Sequence, residues 1–377
     1  MIQPRPRRIA ALVLSLTLTL ATAWSCGGGG GGDTLHAGPR RAMLGDLANV
    51  VIVPTYDSLV ADAQGLVVAA AQFEASPDAA ALTSVQSAWR RTRAAWKQSQ
   101  AFAIGPADTM RTAAKIDWTP VRSDRIEQEI SGTHELTGAY VGSLGANLKG
   151  LLAIEYVIFD ADGGASASLR ALSADPRRRA FVRAVAENIR DESIVLRDAW
   201  APDAGDFAAE LANAGAGSTT FPTVKSAVDT VVNQIVFLSE NVADEQLLAA
   251  LGTRTNGVPR PEVLAAHRSQ NGLADLLDNL AGIQAVYFDS YAGRQGTSLS
   301  SIVTSVSPAT AGALAVAIRR AMETATSIPQ PLEQSLSTER PLVENAQGRA
   351  KDLMAKLEID LISALGATLR FNPSDGD

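Results

Sequence analysis

The chain has 377 residues, and its 33 lysines and arginines against 40 aspartates and glutamates give a formal net charge of −7. An acidic chain without a basic run argues against a nucleic-acid partner, and a single cysteine excludes an internal disulfide and a cysteine-based zinc site. The length is more than one hydrophobic core usually serves, so it favours two domains.

Residues 1–25 have the features of a secretory signal peptide. Three arginines precede an apolar run, Ile9–Leu20, that is too short to span a bilayer. The residues AWSC that follow, ending at Cys26, resemble a bacterial lipobox. We therefore expect Cys26 to be lipidated and residues 26–40 to form a flexible, glycine-rich tether. The alternative is ordinary cleavage after Ala23, which would leave Cys26 as a free thiol.

These N-terminal features also predict where the protein lies. A lipidated cysteine would anchor the mature chain to a membrane of the cell envelope, on its periplasmic or surface face. Asp33 is too far from Cys26 to resemble an inner-membrane retention residue, which favours the outer membrane. The expected partners are the membrane, a small ligand or metal ion, and other envelope proteins.

The N-terminal half, residues 41–212, has the spacing of helices. Pro54–Ala75 carries apolar residues at heptad-like intervals, and the next helix carries Trp89 and Trp96 on one face. After that helix, Ala107–Pro120 is expected to be a long irregular connection, and such connections are often functional. The further helices expected in this half are Ser123–Ile130, Lys149–Asp160 and Asp175–Trp200.

The segment Lys149–Asp160 places one carboxylate in the middle of an apolar helix face. Leu151 and Leu152 lie one turn before Glu155, and Ile158 lies one turn after it. Burying an unpaired carboxylate costs several kcal/mol, so Glu155 needs a cation, hydrogen-bond donors or a proton. A structural ion pair or a protonated acid stays open beside a binding role.

The segment Asn213–Thr220 is rich in glycine, alanine, serine and threonine, and it is the best internal boundary. Beyond it, residues 221–377 are predicted to form a second domain. Abundant alanine and the lack of an alternating strand pattern predict an all-α protein built of up-and-down helical bundles. The helices expected in this half are Phe221–Val242, Ser269–Phe288, Ser307–Ile328 and Glu339–Leu369.

Five stretches, in the correct order, resemble the imelysin family of bacterial envelope proteins. Gly150–Glu155, GLLAIE, resembles the family's G-x-H-x-x-E motif, although Leu152 stands where the family has histidine. Ile116–Pro120, IDWTP, resembles the family's I-D-x-W-P turn, with Trp118 one place early. The other matching stretches are Trp89–Pro106, Arg268–Tyr287 and Phe371–Asp377. The resemblance implies two helical-bundle domains that face each other, with the motif near their interface.

The resemblance implies three alternative functions. The first is binding of a metal ion, iron or calcium, or of a small ligand at the domain interface, because family members are linked to iron-regulated uptake. The second is a metallopeptidase, because the family includes a group described as insulin-cleaving. The third is a structural or adhesion lipoprotein that keeps only a relic of the site.

The histidine content argues against peptide hydrolysis. A zinc peptidase needs about three protein ligands, an open coordination position and a base. The only histidines are His36, His134 and His267, and Leu152 leaves the motif without its nitrogen ligand. Carboxylates alone suit calcium or oxidised iron better than catalytic zinc. We therefore expect a binding protein without peptidase activity.

The candidate binding residues come from the matching stretches. Glu155 is the first of them, and Arg268 is the cation expected to pair with it across the interface. Ser269 is either part of the site or the N-cap of its helix. The full set of candidates is Ser99, Asp117, Trp118, Glu155, Arg268, Ser269 and Asp275, with Gly150 and Leu152 completing the motif.

Overall fold

The structure is a computed structural model, which describes residues 31–159 and 164–370. The predicted signal peptide, the predicted lipidation of Cys26 and the family-like segment Phe371–Asp377 lie outside the described residues.

The described residues form eighteen α-helices and one small hairpin. The helices of the N-terminal half are α1 (Gly31–Asp46), α2 (Val53–Ala75), α3 (Ala79–Ser99), α4 (Pro106–Thr109), α5 (Thr112–Ile116), α6 (Ser123–Ser131), α7 (Gly138–Gly142), α8 (Leu151–Ile158), α9 (Gly164–Ala174), α10 (Pro176–Trp200) and α11 (Phe207–Ala212). Those of the C-terminal half are α12 (Val224–Glu240), α13 (Gly272–Phe288), α14 (Leu299–Val306), α15 (Pro308–Thr326), α16 (Leu332–Thr338), α17 (Arg340–Lys356) and α18 (Ile362–Leu365).

Shorter elements connect these helices. The hairpin after α13 pairs β1 (Ser290–Tyr291) with β2 (Arg294–Gln295) in antiparallel register. The π-helical segments are Leu47–Ile52, Asn241–Leu248 and Leu357–Leu361, and the 3-10 turns are Gln100–Phe102, Ala146–Leu148, Thr253–Thr255 and Pro261–Val263.

Helix α10 shows how the sequence determines an element. Asp175 caps its N-terminus by accepting a hydrogen bond from the N–H of Arg177 at 2.9 Å. Pro176 fills the first helical position, where its missing N–H has no intrahelical partner to lose. The predicted helix start at Asp175-Pro176 is therefore confirmed, and the helix ends at Trp200 as predicted.

Two groups of helices share one continuous hydrophobic core. In the N-terminal half, α2 packs against both α3 and α10. In the C-terminal half, α13 and α17 pack against α15, and α12 packs against α13 and α17. Helix α3 lies against α13 and joins the two groups, and the buried apolar side chains form one cluster across both. The predicted all-α fold class is confirmed.

The predicted boundary Asn213–Thr220 lies in the turns between α11 and α12. The domain limits 41–212 and 221–377 stay a prediction. Helix α1 packs against both α11 and α12, so the first described helix contacts both halves of the chain.

Several predicted boundaries differ from the structure. Helix α1 begins at Gly31, inside the segment 26–40 that was expected to be a tether. Ala107–Pro120 is not irregular throughout, because the end of α4 and all of α5 lie within it. The predicted helix Glu339–Leu369 is interrupted by a π-helical turn and stops at Gly366, whose φ of +61° ends a right-handed helix. The hairpin, α14 and α16 are too short to give a periodic signal.

Within the described ranges, we find no helix that combines the length and the apolarity needed to cross a membrane.

Candidate functional site

Helix α8 carries Glu155 into the core, and Gly150 allows the helix to start where it does. Gly150 has φ of +84°, a conformation that side chains disfavour. A Cβ atom there would lie 2.5 Å from the carbonyl oxygen of Ile116, so only glycine fits this close approach. The carbonyl of Leu151 accepts a hydrogen bond from Nε1 of Trp89 at 2.8 Å, which fixes the helix start against α3.

The carboxylate of Glu155 is bound by hydrogen-bond donors. Oε1 accepts from the backbone N–H of Ser269 at 2.8 Å and from its hydroxyl at 2.7 Å, and the residue is 2 % exposed. Burial raises the pKa of Glu155, although the Ser269 hydrogen bonds and the positive charge of Arg93 oppose the rise. The predicted need for a partner is met by Ser269 from the C-terminal half.

One prediction about this contact is wrong, and one of the two alternatives for Ser269 is excluded. Arg268 does not pair with Glu155, because its guanidinium lies over the ring of Tyr156, 5.0 Å from the centroid. Ser269 is not the N-cap of its helix, because α13 begins at Gly272 and Asn271 occupies the cap position. The Ser269 hydroxyl is turned to Glu155 instead, and Arg90 of α3 donates to the Ser269 carbonyl at 3.3 Å.

A buried arginine joins two of the predicted acids. Arg93 of α3 is fully buried and binds Asp275 through Nε and Nη2, at 2.8 Å to Oδ1 and 2.7 Å to Oδ2. Its Nη1 donates to Oδ1 of Asp117 at 2.7 Å. Burial disfavours the charged arginine, yet the two carboxylates outweigh burial and raise its pKa. We call Arg93, Asp117 and Asp275 the arginine cluster.

The second oxygen of Asp117 is held by two further donors. Oδ2 accepts from Nζ of Lys97 at 2.8 Å and from Nε1 of Trp96 at 3.2 Å. Burial opposes ionisation, but Arg93 and Lys97 hold the pKa of Asp117 far below its usual range. Oδ1 of Asp275 accepts a further hydrogen bond from Nδ2 of Asn271 at 2.8 Å. Every member of the arginine cluster is therefore hydrogen-bonded, and Asp117 stays charged.

The remaining candidates lie beside the arginine cluster rather than in it. The Ser99 hydroxyl donates to the carbonyl of Trp96 at 2.7 Å, inside its own helix. Trp118 is 41 % exposed, although Asp117 next to it is buried. Leu152 is buried in the core with the other apolar residues of α8.

Sequence reasoning missed two residues of the site. Arg93 lies one helical turn after Trp89, and a basic residue beside the two tryptophans of α3 is a usable signal for a buried ion pair. Glu333 gave no signal, because it lies far along the chain in α16. Its Oε1 accepts from the N–H of Gly272 at 3.0 Å, its buried Oε2 has no partner among the described residues, and burial raises its pKa to about 7.

Two cavities lie on either side of Lys97 and Asn241. The first, which we call the amide cavity, has a volume of about 310 Å³. Its polar lining is Lys97, Gln100, Asp117, Gln234, Asn241 and Asn279. The second has about 410 Å³ and reaches Gly272 and Asp275 at the start of α13.

The arrangement does not fit a metal ion at the motif. Among the described residues, no group of three or more His, Cys, Asp and Glu side chains is placed to hold one. Leu152 offers no ligand atom, and Oε1 of Glu155 already accepts two hydrogen bonds from Ser269. His134 stacks on Tyr140, with Nδ1 3.1 Å from the phenol oxygen, and His267 lies beside the carbonyl of Leu264.

Comparison with known proteins gives a consistent result. The family model described as imelysin matches residues 52–360. Iron-regulated protein A of Synechococcus elongatus is 28 % identical over 291 residues, which cover 77 % of this chain and 76 % of that protein.

Two solved structures share the fold. A structure described as a putative iron-regulated protein A precursor, from Parabacteroides distasonis, aligns with a TM-score of 0.74 at 20 % identity and covers 87 % of this chain and 95 % of that chain. An imelysin-like protein from Psychrobacter arcticum aligns with a TM-score of 0.72 at 15 % identity, over 89 % and 98 % of the two chains.

Proposed function

The chain belongs to the imelysin family, and from that premise we propose that it is a non-hydrolytic binding protein of the bacterial envelope for a small polar ligand. Its relationship to an iron-regulated protein is clear from the 28 % identity. The ligand site that we propose is the amide cavity, between α3 of the N-terminal half and α12 and α13 of the C-terminal half.

One observation carries this proposal. Asn279 lines the amide cavity and is 1 % exposed, yet its Oδ1 has no hydrogen-bond partner among the described residues. Leaving a buried amide oxygen without a donor costs about 1–3 kcal/mol. A ligand that carries an N–H or O–H group would satisfy this atom, and the cavity provides the volume for it.

The charges of the amide cavity indicate what kind of ligand fits. Lys97 and Asp117 face it but form an ion pair with each other at 2.8 Å, so neither is free to balance a charged ligand. Gln234 donates its Nε2 to the carbonyl of Gln100 at 2.8 Å, which leaves its amide oxygen as an acceptor. The paired charges and the amide oxygens of Asn279 and Gln234 favour a neutral or weakly cationic molecule that carries donors.

The chemistry of Glu155 argues against the peptidase alternative. A catalytic base needs an oxygen free to accept a proton from water, beside a metal with an open position. Leu152 removes the nitrogen ligand, and among the described residues no group of three or more His, Cys, Asp and Glu side chains is placed to hold a metal ion. We assign Glu155 a structural role, which is to hold the loop before α13 against α8.

The envelope location rests on the N-terminal sequence. Residues 1–25 and the AWSC segment support a lipid anchor at Cys26 and a place at the outer membrane. The intact mass of the mature protein tests this. Acyl mass on a chain that begins at Cys26 supports the anchor, whereas an unmodified chain that begins at Trp24 contradicts it.

A binding screen with matched variants tests the function. The purified full chain is screened by thermal shift against amino acids, polyamines, sugars and iron chelators with and without iron. Each hit is then titrated into Asn279→Leu and into Asn188→Leu. Asn188 is a suitable control because it is also buried, at 5 %, with an unpartnered Oδ1, but lies outside the amide cavity.

The proposal expects at least a tenfold loss of affinity in Asn279→Leu and little change in Asn188→Leu. Stoichiometric zinc in the purified chain, together with a peptidase activity that Glu155→Gln abolishes, would contradict it and favour the peptidase. Equal loss in both asparagine variants would remove the amide cavity as the site.

A further inference from the structure

The C-terminal end of α13 buries a carboxylate that has no partner. Asp289 caps this helix in a left-handed conformation with φ of +47°. Its side chain is 0 % exposed, and neither Oδ1 nor Oδ2 has a hydrogen-bond partner among the described residues. A buried ionised carboxylate with no donor and no cation is costly by several kcal/mol, so something must compensate it.

A second carboxylate lies beside it. Gly296, just after β2, packs against both residues: a Cβ atom on Gly296 would lie 2.3 Å from Oδ2 of Asp289 and 2.6 Å from Cβ of Asp46. Asp46 ends α1, and its Oδ2 accepts from the N–H of Thr297 at 2.7 Å. Two distant parts of the chain, the end of α1 and the hairpin after α13, therefore meet at this pair of acids.

The surroundings offer no positive charge. Among the described residues, neither Asp46 nor Asp289 takes part in an ion pair with a lysine, arginine or histidine within 4.0 Å. The C-terminal end of α13 adds partial negative charge from its last carbonyl groups. Burial, and then the charge of Asp46, raise the pKa of Asp289 to about 7.

We propose that Asp46 and Asp289 are the carboxylate ligands of a binding site for a hard, oxygen-preferring divalent cation, with calcium as the probe. Calcium accepts carboxylate ligands through one or both oxygens and completes a sphere of about six to eight with backbone carbonyls and water. Two carboxylates are few for calcium, so the affinity is modest, with a Kd on the order of 10⁻⁴–10⁻³ M.

A bound cation explains the geometry better than a proton does. A proton on Asp289 would give one of its oxygens a donor role and would leave the other without any partner. A cation held by both oxygens satisfies the whole carboxylate, and the charge of Asp46 then favours the site instead of opposing it. This site is separate from the amide cavity, because Asn279 lines that cavity and Asp289 lies ten residues further along α13, about 15 Å along the helix axis.

Thermal unfolding of the full chain tests the site. The protein is freed of metal with a chelator, and its Tm is measured while calcium is raised to about 10 mM at neutral pH, with magnesium in parallel. The expected rise is about 2 °C or more for the wild-type chain. The rise should be lost in Asp289→Asn and in Asp46→Asn, which keep the side-chain shape.

Asp278→Asn is the matched control. Asp278 is a partly buried acid on the same helix, and it accepts from Nε2 of Gln98 at 2.9 Å, so its loss should leave the calcium response intact.

Titration calorimetry with calcium supplies a second measurement that does not depend on unfolding. A wild-type chain that binds no calcium, or a response that survives in Asp289→Asn, would overturn the proposal. A wild-type chain that does not respond to calcium, together with an Asp289→Asn variant that is more stable than it, would assign the site to a proton.

Discussion

Two buried acids of the site have pKa values displaced in opposite directions. Burial dominates at Glu155 and raises its pKa, because Ser269 supplies neutral donors. Arg93 and Lys97 dominate at Asp117 and lower its pKa. The two acids therefore affect stability with opposite dependence on pH. A glutamate with a raised pKa makes the protein less stable as pH rises above the ordinary glutamate pKa. An aspartate with a lowered pKa stabilises the protein above the ordinary aspartate pKa, and this stabilisation is lost as pH falls below it.

Glu155→Gln should not destabilise the protein strongly at neutral pH. The amide oxygen of glutamine can still accept from both donors of Ser269, and the buried charge is removed. We expect a change of the unfolding free energy within about 1 kcal/mol. The native state of the wild type holds a proton on Glu155 above the ordinary glutamate range, so its stability should fall as pH rises from about 4.5.

Urea unfolding at several pH values checks this result. The variant should lose the part of the pH dependence that comes from Glu155, so its advantage over the wild type should grow as pH rises. A loss near 3–5 kcal/mol, which is typical of one broken partner in a buried ion pair, would mean that the charge of Glu155 is strongly paired.

Asp117→Asn should be costly. The substitution removes a buried carboxylate that pairs with Arg93 and Lys97. We expect the unfolding free energy to fall by about 3–5 kcal/mol. The stabilisation by Asp117 is present above the ordinary aspartate pKa and is lost as pH falls below it. Chemical unfolding at neutral and acidic pH measures both effects.

Asp352→Asn is the control for this variant. Asp352 pairs with Arg349 at 2.9 Å, but its side chain is 59 % exposed, so its removal should change stability little. Equal losses in the two aspartate variants would contradict the role of the arginine cluster.

At the scale of elements, the sequence predicted the helices better than their ends. The spacing of apolar residues identified the central parts of α2 and α13, and Asp175-Pro176 identified the start of α10. The start of α13 could not be predicted, because serine is both a good N-cap and a good partner for a carboxylate. Only the position of Glu155 across the core decides between these roles. The partner of Arg268 could not be predicted either, because its contact with Tyr156 depends on how α8 packs against the loop before α13.

Gly150→Ala tests how α8 is positioned. The substitution adds a Cβ atom 2.5 Å from the Ile116 carbonyl at φ of +84°, so we expect a loss of about 2 kcal/mol or more. Gly65→Ala is the control, because Gly65 lies inside α2 with open space around it. This substitution should stabilise the protein by about 0.5–1 kcal/mol. Thermal unfolding compares the two, and a stabilised Gly150→Ala would show that the backbone there is not constrained.

At the scale of the whole molecule, composition and periodicity were enough for the all-α fold class. They did not predict how the two halves of the chain pack against each other. The contacts of α3 with α13, and of α1 with α11 and α12, depend on side chains that lie more than a hundred residues apart. The arginine cluster shows this directly: Arg93 and Asp275 are 182 positions apart, and no local pattern relates them.

Limited proteolysis tests the predicted boundary. The turns at Asn213–Thr220 have few packed side chains to hold them, so the first cut by a protease of broad specificity should fall there. Mass spectrometry of the fragments locates the cut. A first cut inside α10 or α12 would contradict a boundary at this point.

Helix α13 links the amide cavity to the proposed cation site, because it carries Asn279 and ends at the cap residue Asp289. Its 17 residues make a stiff rod of about 25 Å, with Asn279 near the middle and Asp289 at the C-terminal cap. If occupation of one site shifts the rod along its axis, the other site moves with it. Thermodynamic reciprocity then requires calcium to change the affinity for the ligand by the same factor as the ligand changes the affinity for calcium. The concentration of divalent ions around the protein would in this way set how readily the amide cavity fills.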